Sequence, residues 1–401
     1  MIREYALDEL RAAGREHAAR AKHLAYFLEL AEDAALRLWG RATLATLERL
    51  EREHDNLRAA LRFALDAGEV ARAAQMAGAL GDFWHLHSYT DQAERWYAEI
   101  LERGIEDAAP IARARLYSSV GTIAWDKADF ARAEQFHRRA LTLYETIVDA
   151  HGIALSLNNI GVQLKQMGKV AEGRQALAQA LELARAANDP HAMVFALNGL
   201  GALDSSPESL EQAEMYLGEA LLVAEREGDA SSLGAVASNL AEIARLRGDF
   251  ARAEELLEQA LLPAYEIGNF RLTHFLLREL GSVLALRGNF ERAGSVLRKA
   301  LQLAQKHSDR WTTGASFSRL GWFEELRGSA ARAALLSAYS EACLERIPDA
   351  TLSQAQMQQI KAFHARLRET LGEESFQREW KRGRAMTDAQ ATALVFEEVE
   401  D

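Results

Sequence analysis

The 401-residue sequence has very little of several features that define other classes of protein. Its one cysteine, Cys343, excludes an internal disulfide framework and fits a reducing compartment. It has only five prolines and no alternating runs of β-branched residues, so we expect an all-α protein. No apolar run reaches the roughly 18 residues of a membrane-spanning helix, and the N-terminus has no signal-peptide core. We therefore predict a soluble, cytoplasmic protein that does not engage a membrane.

The balance of charge is also informative. The formal net charge is -12, which argues against direct binding of a nucleic-acid backbone by this chain alone. The same charge has a simpler explanation, because a large helical surface needs charge to remain soluble.

Residue patterns of common catalytic sites are missing as well. Gly168-Lys169-Val170 lacks the upstream glycine and the hydroxyl of a phosphate-binding loop. His85 and His87 would point about 200° apart on a helix, so they cannot jointly hold a metal ion. No histidine is placed by a motif to activate Cys343, which we interpret as a small buried hydrophobic residue. We predict no enzyme activity, no cofactor and no metal.

One feature of the sequence is strongly periodic. Gly281 lies inside an expected helix, where glycine costs about 1 kcal/mol relative to alanine and is tolerated mainly where another backbone or side chain comes close. The same choice recurs every 40 residues, at Gly81, Gly121, Gly161, Gly201, Ala241, Gly281 and Gly321. A small residue follows each of them twelve positions later, at Ala93, Ala133, Gly173, Ala213, Ala253, Ala293 and Ala333. The chain is therefore predicted to be an array of helical repeats.

Each predicted unit consists of two helices of about 16 residues joined by a short turn such as Gly288-Asn289, in which glycine ends one helix and the polar residue caps the next. Between units, Asp189 and Asp309 are further cap candidates. In the fourth unit the turn is replaced by Asp-Ser-Ser-Pro-Glu-Ser at 204–209, so we expect its first helix to end early and Pro207 to open the second. The predicted organisation is an N-terminal helical region at 1–69, about seven repeats at 70–345, and C-terminal capping helices at 346–401.

Helices outside the array are also predicted from apolar periodicity and cap signals. The helix expected at 54–65 is assigned its N-cap at His54-Asp55-Asn56. Thr387 and Gln390 have the spacing of a capping box. The other expected helices span 4–10, 20–38, 354–371, 375–382 and 387–400.

The spacing of these small residues resembles the tetratricopeptide repeat, in a longer form similar to that of kinesin light chains and bacterial ATPase regulators. Leu157-Asn158-Asn159-Ile160-Gly161 carries the kinesin light chain similarity. The resemblance implies a right-handed superhelical solenoid of antiparallel helix pairs, whose first helices line a concave groove.

Helical geometry then defines which residues face that groove. One face of each first helix carries the periodic glycine and packs between helices, and the other face is free. Asparagines on the free face can donate to and accept from an extended peptide backbone, or alternatively bond to neighbouring helices. The predicted groove residues are Arg115, Ser118, Thr122, Trp125, Asn158, Asn159, Lys165, Asn198, Asn239, Glu242, Arg245, Arg278, Ser282 and Trp322. The remaining tryptophans Trp39, Trp84, Trp96 and Trp311 are expected to fill gaps between helices.

A second resemblance concerns both ends of the chain. Ile2-Arg3-Glu4-Tyr5-Ala6 and the run from Glu51 to Leu61 are similar to the segment that follows the winged-helix region in bacterial STAND-type regulators of the AfsR and LuxR-related kind. The stretch from Leu371 to Phe376, followed by Trp380, is similar to their C-terminus. The resemblance implies the sensor half of such a regulator, preceded by a nucleotide-binding part.

The sequence therefore predicts a non-catalytic module for binding proteins or peptides that acts in signalling or in the control of transcription. Its expected partner is a peptide or protein segment in the groove, possibly including an intramolecular nucleotide-binding domain. The alternative is a free-standing adaptor that bridges two partners.

Overall fold

A computed structural model describes residues 9–127, 129–203, 206, 208–347 and 354–397. Within these ranges all regular structure is helical, and the all-α prediction is confirmed. The helices outside the repeats are α1 (Glu16–Ala35), α2 (Thr43–Arg52), α3 (His54–Asp66), α19 (Gln354–Leu371), α20 (Glu373–Arg384) and α21 (Asp388–Phe396). The helices of the repeats are α4 (Val70–Ala79), α5 (Gly81–Leu86), α6 (Thr90–Glu102), α7 (Pro110–Asp126), α8 (Phe130–Ile147), α9 (Ala150–Gln166), α10 (Val170–Ala186), α11 (Pro190–Gly201), α12 (Leu210–Glu227), α13 (Ala230–Leu246), α14 (Phe250–Glu266), α15 (Phe270–Leu286), α16 (Phe290–Lys306), α17 (Arg310–Leu326) and α18 (Ala330–Leu344).

Consecutive helices pack as pairs, and each pair packs on the next. We number the pairs as units 1 to 7, from α4/α5 with α6 to α17 with α18. In units 2 to 7 the first helices are α7, α9, α11, α13, α15 and α17, and the first helices of successive units contact one another. This arrangement is the predicted solenoid of helix pairs.

Helix ends repeat with the same spacing. Gly288 has φ 78°, a left-handed conformation that glycine adopts without strain. The Asn289 side chain accepts from the Arg292 backbone N–H at 3.3 Å and so caps α16. At the start of α17, Asp309 accepts from the Thr312 N–H at 2.9 Å. Both kinds of cap were predicted from the sequence.

The periodic glycine is a point of close contact within each pair. A Cβ built on Gly281 would lie 2.6 Å from Leu297, sixteen residues later on the partner helix. In unit 3 a Cβ on Gly161 would meet Leu177 at 2.7 Å. The cost of glycine inside a helix is therefore offset by tight packing of the two helices, as the sequence indicates.

Three details depart from the predictions. The cap of α3 was predicted wrongly: Glu53 is the N-cap, without a side-chain bond to the helix, and the Asn56 amide instead donates to its carboxylate at 2.7 Å. The first helix of unit 1 is interrupted at Leu80. In unit 4, α11 ends early as predicted, but α12 begins only at Leu210, and Pro207 lies outside the described residues.

The terminal helices cover the two ends of the array. α1 packs on α3 and α4, while α19 and α20 pack on α18. The predicted capping box is present, with Thr387 and Gln390 bonded reciprocally. Residues 4–8 and 398–400, where helix was also predicted, lie outside the described residues. Throughout the described part of the chain, no helix has both the length and the apolar character that crossing a bilayer requires.

Candidate ligand-binding groove

A cavity of about 870 Å³ lies on the inner side of units 5, 6 and 7. Its walls are the first helices α13, α15 and α17, and the C-terminal helix α19 closes one side. The volume is within the range of about 300–1,000 Å³ that is usual for ligand sites. We call it the groove cavity.

Six of the fourteen predicted groove residues line the groove cavity. They come from three successive units because the face follows the 40-residue register. They are Asn239, Glu242, Arg245, Arg278, Ser282 and Trp322.

Other lining residues were missed, although the register contained the signal for four of them. A step of 40 residues from the predicted Arg115 leads to Phe275 and Ala315, and a step from Asn239 leads to Glu279 and Arg319. The exposed stripe is therefore wider than one row of residues. Trp311 also lines the cavity, in addition to the gap-filling position expected for it. From α19, outside the register, come Gln359, Ile360, Ala362, Phe363 and Arg366.

A charged network lies across the floor of the cavity. One oxygen of Glu279 accepts from Arg278 and from Arg319, each at 3.2 Å. Burial raises the pKa of Glu279, but the neighbouring guanidinium groups of Arg319 and Arg278 outweigh it, and the net pKa is lowered. On α13, Arg245 binds both carboxylate oxygens of Glu242 at 2.6 Å. Glu279 is therefore held as a carboxylate among guanidinium groups.

His274 lies behind this network and is buried. Its Nε2 is 2.8 Å from the hydroxyl of Ser316. Burial lowers its pKa to about 3, and the positive charges of Arg278 and Arg271 act in the same direction. His274 is thus neutral at physiological pH and adds no charge to the cavity.

The predicted groove residues of units 3 to 5 that do not line the cavity are engaged within the array. Asn158 is 5% exposed, and its amide donates to Asn159, whose own amide is 3.2 Å from His137. Asn198 accepts from the Asn239 amide at 2.8 Å. Lys165 donates to the Ala202 carbonyl. These bonds follow the alternative in which such side chains join neighbouring helices.

In unit 2, the predicted groove residues lie along α7, away from the groove cavity. The Thr122 hydroxyl donates to the Ser118 carbonyl at 3.2 Å. The ring of Trp125 lies 5.0 Å from that of Phe130 at the turn to α8. Arg115 is half-buried beside unit 1, where its backbone would contact a Cβ on Gly78.

The chain itself occupies part of the groove nearer the N-terminus. Trp39, in the connection between α1 and α2, stacks on His191 at 4.4 Å and meets the edge of Phe195 at 5.4 Å. Phe195 is the unit 4 equivalent of the groove position Arg115. Its neighbour Arg41 donates to the Arg226 carbonyl at 3.2 Å. The open part of the groove is therefore displaced toward units 5 to 7.

A polar cluster joins the first two units to the last two. Arg271 donates to the Asp126 carbonyl at 3.1 Å across 145 residues of sequence, and to the Asp309 carboxylate at 2.7 Å. The buried carboxylate of Asp126 is 2.8 Å from Nδ1 of His85. We call these four residues the end-to-end contact. Next to it is a second cavity of about 810 Å³, and Arg271 and Trp311 line both cavities.

The end-to-end contact should depend on pH through His85. Burial lowers the pKa of His85, but the charge of Asp126 and the hydrogen bond to it outweigh this, and the net pKa is raised. A raised pKa means that the stabilising contribution is complete below the unfolded value of about 6.5 and is lost as the pH rises through the folded value. Asp126 has a lowered pKa and stays ionised over this range.

We expect His85→Gln to be less stable than the wild type at pH 6 and to approach it at pH 9. Urea unfolding of both proteins across this range measures the difference, and taking the difference cancels the titration of the other histidines. A gap in stability that is constant with pH would contradict an ion pair at His85.

Comparisons with known proteins agree with this architecture. The family model of the tetratricopeptide repeat matches residues 113–151 and 233–262, in units 2 and 5. The chain is built from tetratricopeptide repeats. No curated protein matches the sequence with significant similarity.

Solved tetratricopeptide structures have the same fold at low sequence identity. A Rap protein in complex with competence and sporulation factor is 15% identical with a TM-score of 0.57, over 88% of this chain and 99% of that chain. A STAND protein with a tetratricopeptide repeat sensor from Pyrococcus horikoshii is 15% identical with a TM-score of 0.52, over 85% of this chain. This chain spans only 54% of that protein. Aspartyl phosphate phosphatase F from Bacillus subtilis is 12% identical with a TM-score of 0.51, over 78% of this chain and 83% of that chain.

Proposed function

We propose that this tetratricopeptide repeat protein is a non-catalytic binding module, and that the groove cavity holds a peptide or a segment of a partner protein. The observation that carries the proposal is the groove cavity itself. It combines apolar rings such as Trp322 and Phe363 with polar side chains such as Ser318 and Arg319. An extended peptide needs both, since its backbone requires donors and acceptors and its side chains require apolar surface.

We further propose that the module is the sensor of a cytoplasmic signalling or transcriptional regulator. The likeness to a STAND protein with a tetratricopeptide sensor supports this setting, in which a nucleotide-binding domain would be the intramolecular partner. The structure suggests how occupancy could be transmitted. Because Arg271 and Trp311 line the groove cavity and the second cavity, a ligand that moves them would alter the end-to-end contact.

Blocking the cavity should abolish binding. Ser318 is exposed on α17 and lines the groove cavity, so Ser318→Trp fills space that a ligand would occupy. We expect heptapeptides selected on the wild type from a displayed random library to bind this variant at least about tenfold more weakly, as measured by fluorescence anisotropy.

Gln302→Trp is the matched control, because Gln302 is exposed on α16 and does not line the cavity. It should bind the selected peptides as the wild type does. If no peptide is selected, or if Ser318→Trp binds equally well, the groove cavity is not the binding site.

A further inference from the structure

The groove cavity has a charge opposite to that of the whole chain. The chain carries a formal net charge of -12. The cavity, in contrast, is lined by five arginines and two glutamates. His274 contributes no positive charge at physiological pH, because its pKa is lowered to about 3 by burial. The local excess of arginine therefore does not follow from the composition of the protein.

Most of these arginines have a carboxylate of their own. Arg245 is paired with Glu242 at 2.6 Å, and Arg271 with Asp309 at 2.7 Å. Arg366 reaches both oxygens of Glu325 at 2.9 Å. These pairs neutralise three of the five positive charges within the protein.

The remaining two arginines share a single carboxylate. Arg278 and Arg319 both bind one oxygen of Glu279, which leaves one positive charge without a counterpart. Among the described residues, Arg319 donates only this one hydrogen bond, so most of its five N–H donors are left for another partner. Its side chain is 30% exposed, and it borders the cavity.

Aromatic rings hold these guanidinium groups in place. Arg278 lies over Phe275 at 5.3 Å and Arg319 lies over Trp322 at 5.5 Å. A ring that covers one face of a guanidinium leaves its edge, where the N–H groups are, available for hydrogen bonds. The two arginines are therefore oriented before any ligand arrives, which lowers the entropy lost on binding.

We propose that the groove cavity selects a peptide with a carboxylate, and that this carboxylate binds between Arg278 and Arg319 beside Glu279. The proposal rests on the proposed peptide-binding function and adds the chemical class of the ligand. A planar guanidinium edge matches a carboxylate through two parallel hydrogen bonds. One uncompensated positive charge balances one carboxylate, whereas a dianionic phosphate would leave negative charge in excess and a cationic side chain would be repelled.

Defined peptide pools test this directly. Each fluorescein-labelled heptapeptide pool is random except for one central residue, which is Asp or Glu in the acidic pool and Asn or Gln in the neutral pool. Both are made as C-terminal amides, and the neutral pool is also made as the free acid. We expect a pool with a carboxylate to bind the wild type about tenfold more tightly than the neutral amide pool at low salt, and the preference to shrink as salt increases.

The two sources of a carboxylate are separated by the arms of the experiment. Preference for the acidic amide pool identifies a side chain, and preference for the neutral free-acid pool identifies the peptide C-terminus. Equal binding by all three pools would overturn the carboxylate assignment while leaving peptide binding intact. Binding by none would instead contradict the proposed function. A phosphoserine pool that binds more tightly than the acidic pool would also overturn the assignment to a carboxylate.

Variants locate the effect. Arg278→Gln and Arg319→Gln should each reduce the preference to threefold or less, as an order-of-magnitude expectation for losing one charge-assisted bond. Arg252→Gln, from an exposed ion pair on α14, should leave it unchanged. Glu242→Gln should increase the preference, because it frees Arg245, and a misfolded protein would not give such a gain. A preference that survives both Gln variants, or a loss in Glu242→Gln, would overturn the proposal.

Discussion

Gly281→Leu should destabilise the protein by about 1–3 kcal/mol, because the new side chain has no space within its helix pair. A Cβ at this position would already lie 2.6 Å from both Cγ and Cδ2 of Leu297, which is itself buried. Leu297 must move or the two helices must separate, and either response disturbs the packing of unit 6 on units 5 and 7. Urea unfolding followed by circular dichroism measures the change in free energy.

Gly218→Leu is the matched control for this experiment. Gly218 lies inside α12, and nothing comes within 4 Å of a Cβ built on it. Because glycine costs about 1 kcal/mol in a helix, leucine at this position should be neutral or stabilising. If both variants have the same effect, the glycine register does not mark close contacts between helices.

Asp126→Ala should cost about 2–4 kcal/mol, since it removes the shared carboxylate of the end-to-end contact. The Asp126 side chain is only 5% exposed, and it lies between His85 at 2.8 Å and Arg271 at 4.0 Å. Its loss leaves His85 without its charged partner in a partly buried position. We also expect small-angle scattering to show a larger radius of gyration, because the contact joins units that are far apart in sequence.

Asp91→Ala provides the control for Asp126→Ala. Asp91 also pairs with a cation, Lys127, at 3.1 Å, but its side chain is 81% exposed. Exposed pairs contribute about 0–1 kcal/mol, so stability and scattering should barely change. An unchanged radius of gyration in a destabilised Asp126→Ala protein would show that the contact stabilises the fold without setting the shape of the array.

Much of the fold could be predicted from sequence because its rules are local and repeated. The cap at Asp309 and the turn at Gly288 depend on residues within four positions of each other. Gly281 and Leu297 are sixteen residues apart, within one unit, so the same pairing is visible in every copy. Each copy is thus an independent observation of one pattern.

The candidate site was predicted only in part, because it depends on contacts that do not repeat. Helix α19 lies outside the register, so nothing in the spacing of the repeats indicates that Phe363 and Arg366 complete the cavity. The stacking of Trp39 on His191 joins residues 152 positions apart and occurs only once in the described structure. Such contacts follow from the curvature of the whole array, which small packing differences in every unit determine.

The asparagines show why a predicted face is not yet a binding site. Asn239 was predicted to face the groove and does line the cavity, but its amide also donates to Asn198. One position further along each first helix, the groove carries Glu279 and Arg319 instead of asparagine. Composition at equivalent positions therefore changes the chemistry of the groove while the fold stays the same.

Hydrogen exchange with and without a peptide selected on the wild type would test the central claim most directly, namely that the ligand binds in the groove cavity. We expect slower exchange in α13, α15, α17 and α19, and no change in α8, α10 and α12. The protection should disappear in Ser318→Trp. Protection confined to α8, α10 and α12, with the four cavity helices unchanged, would contradict the account.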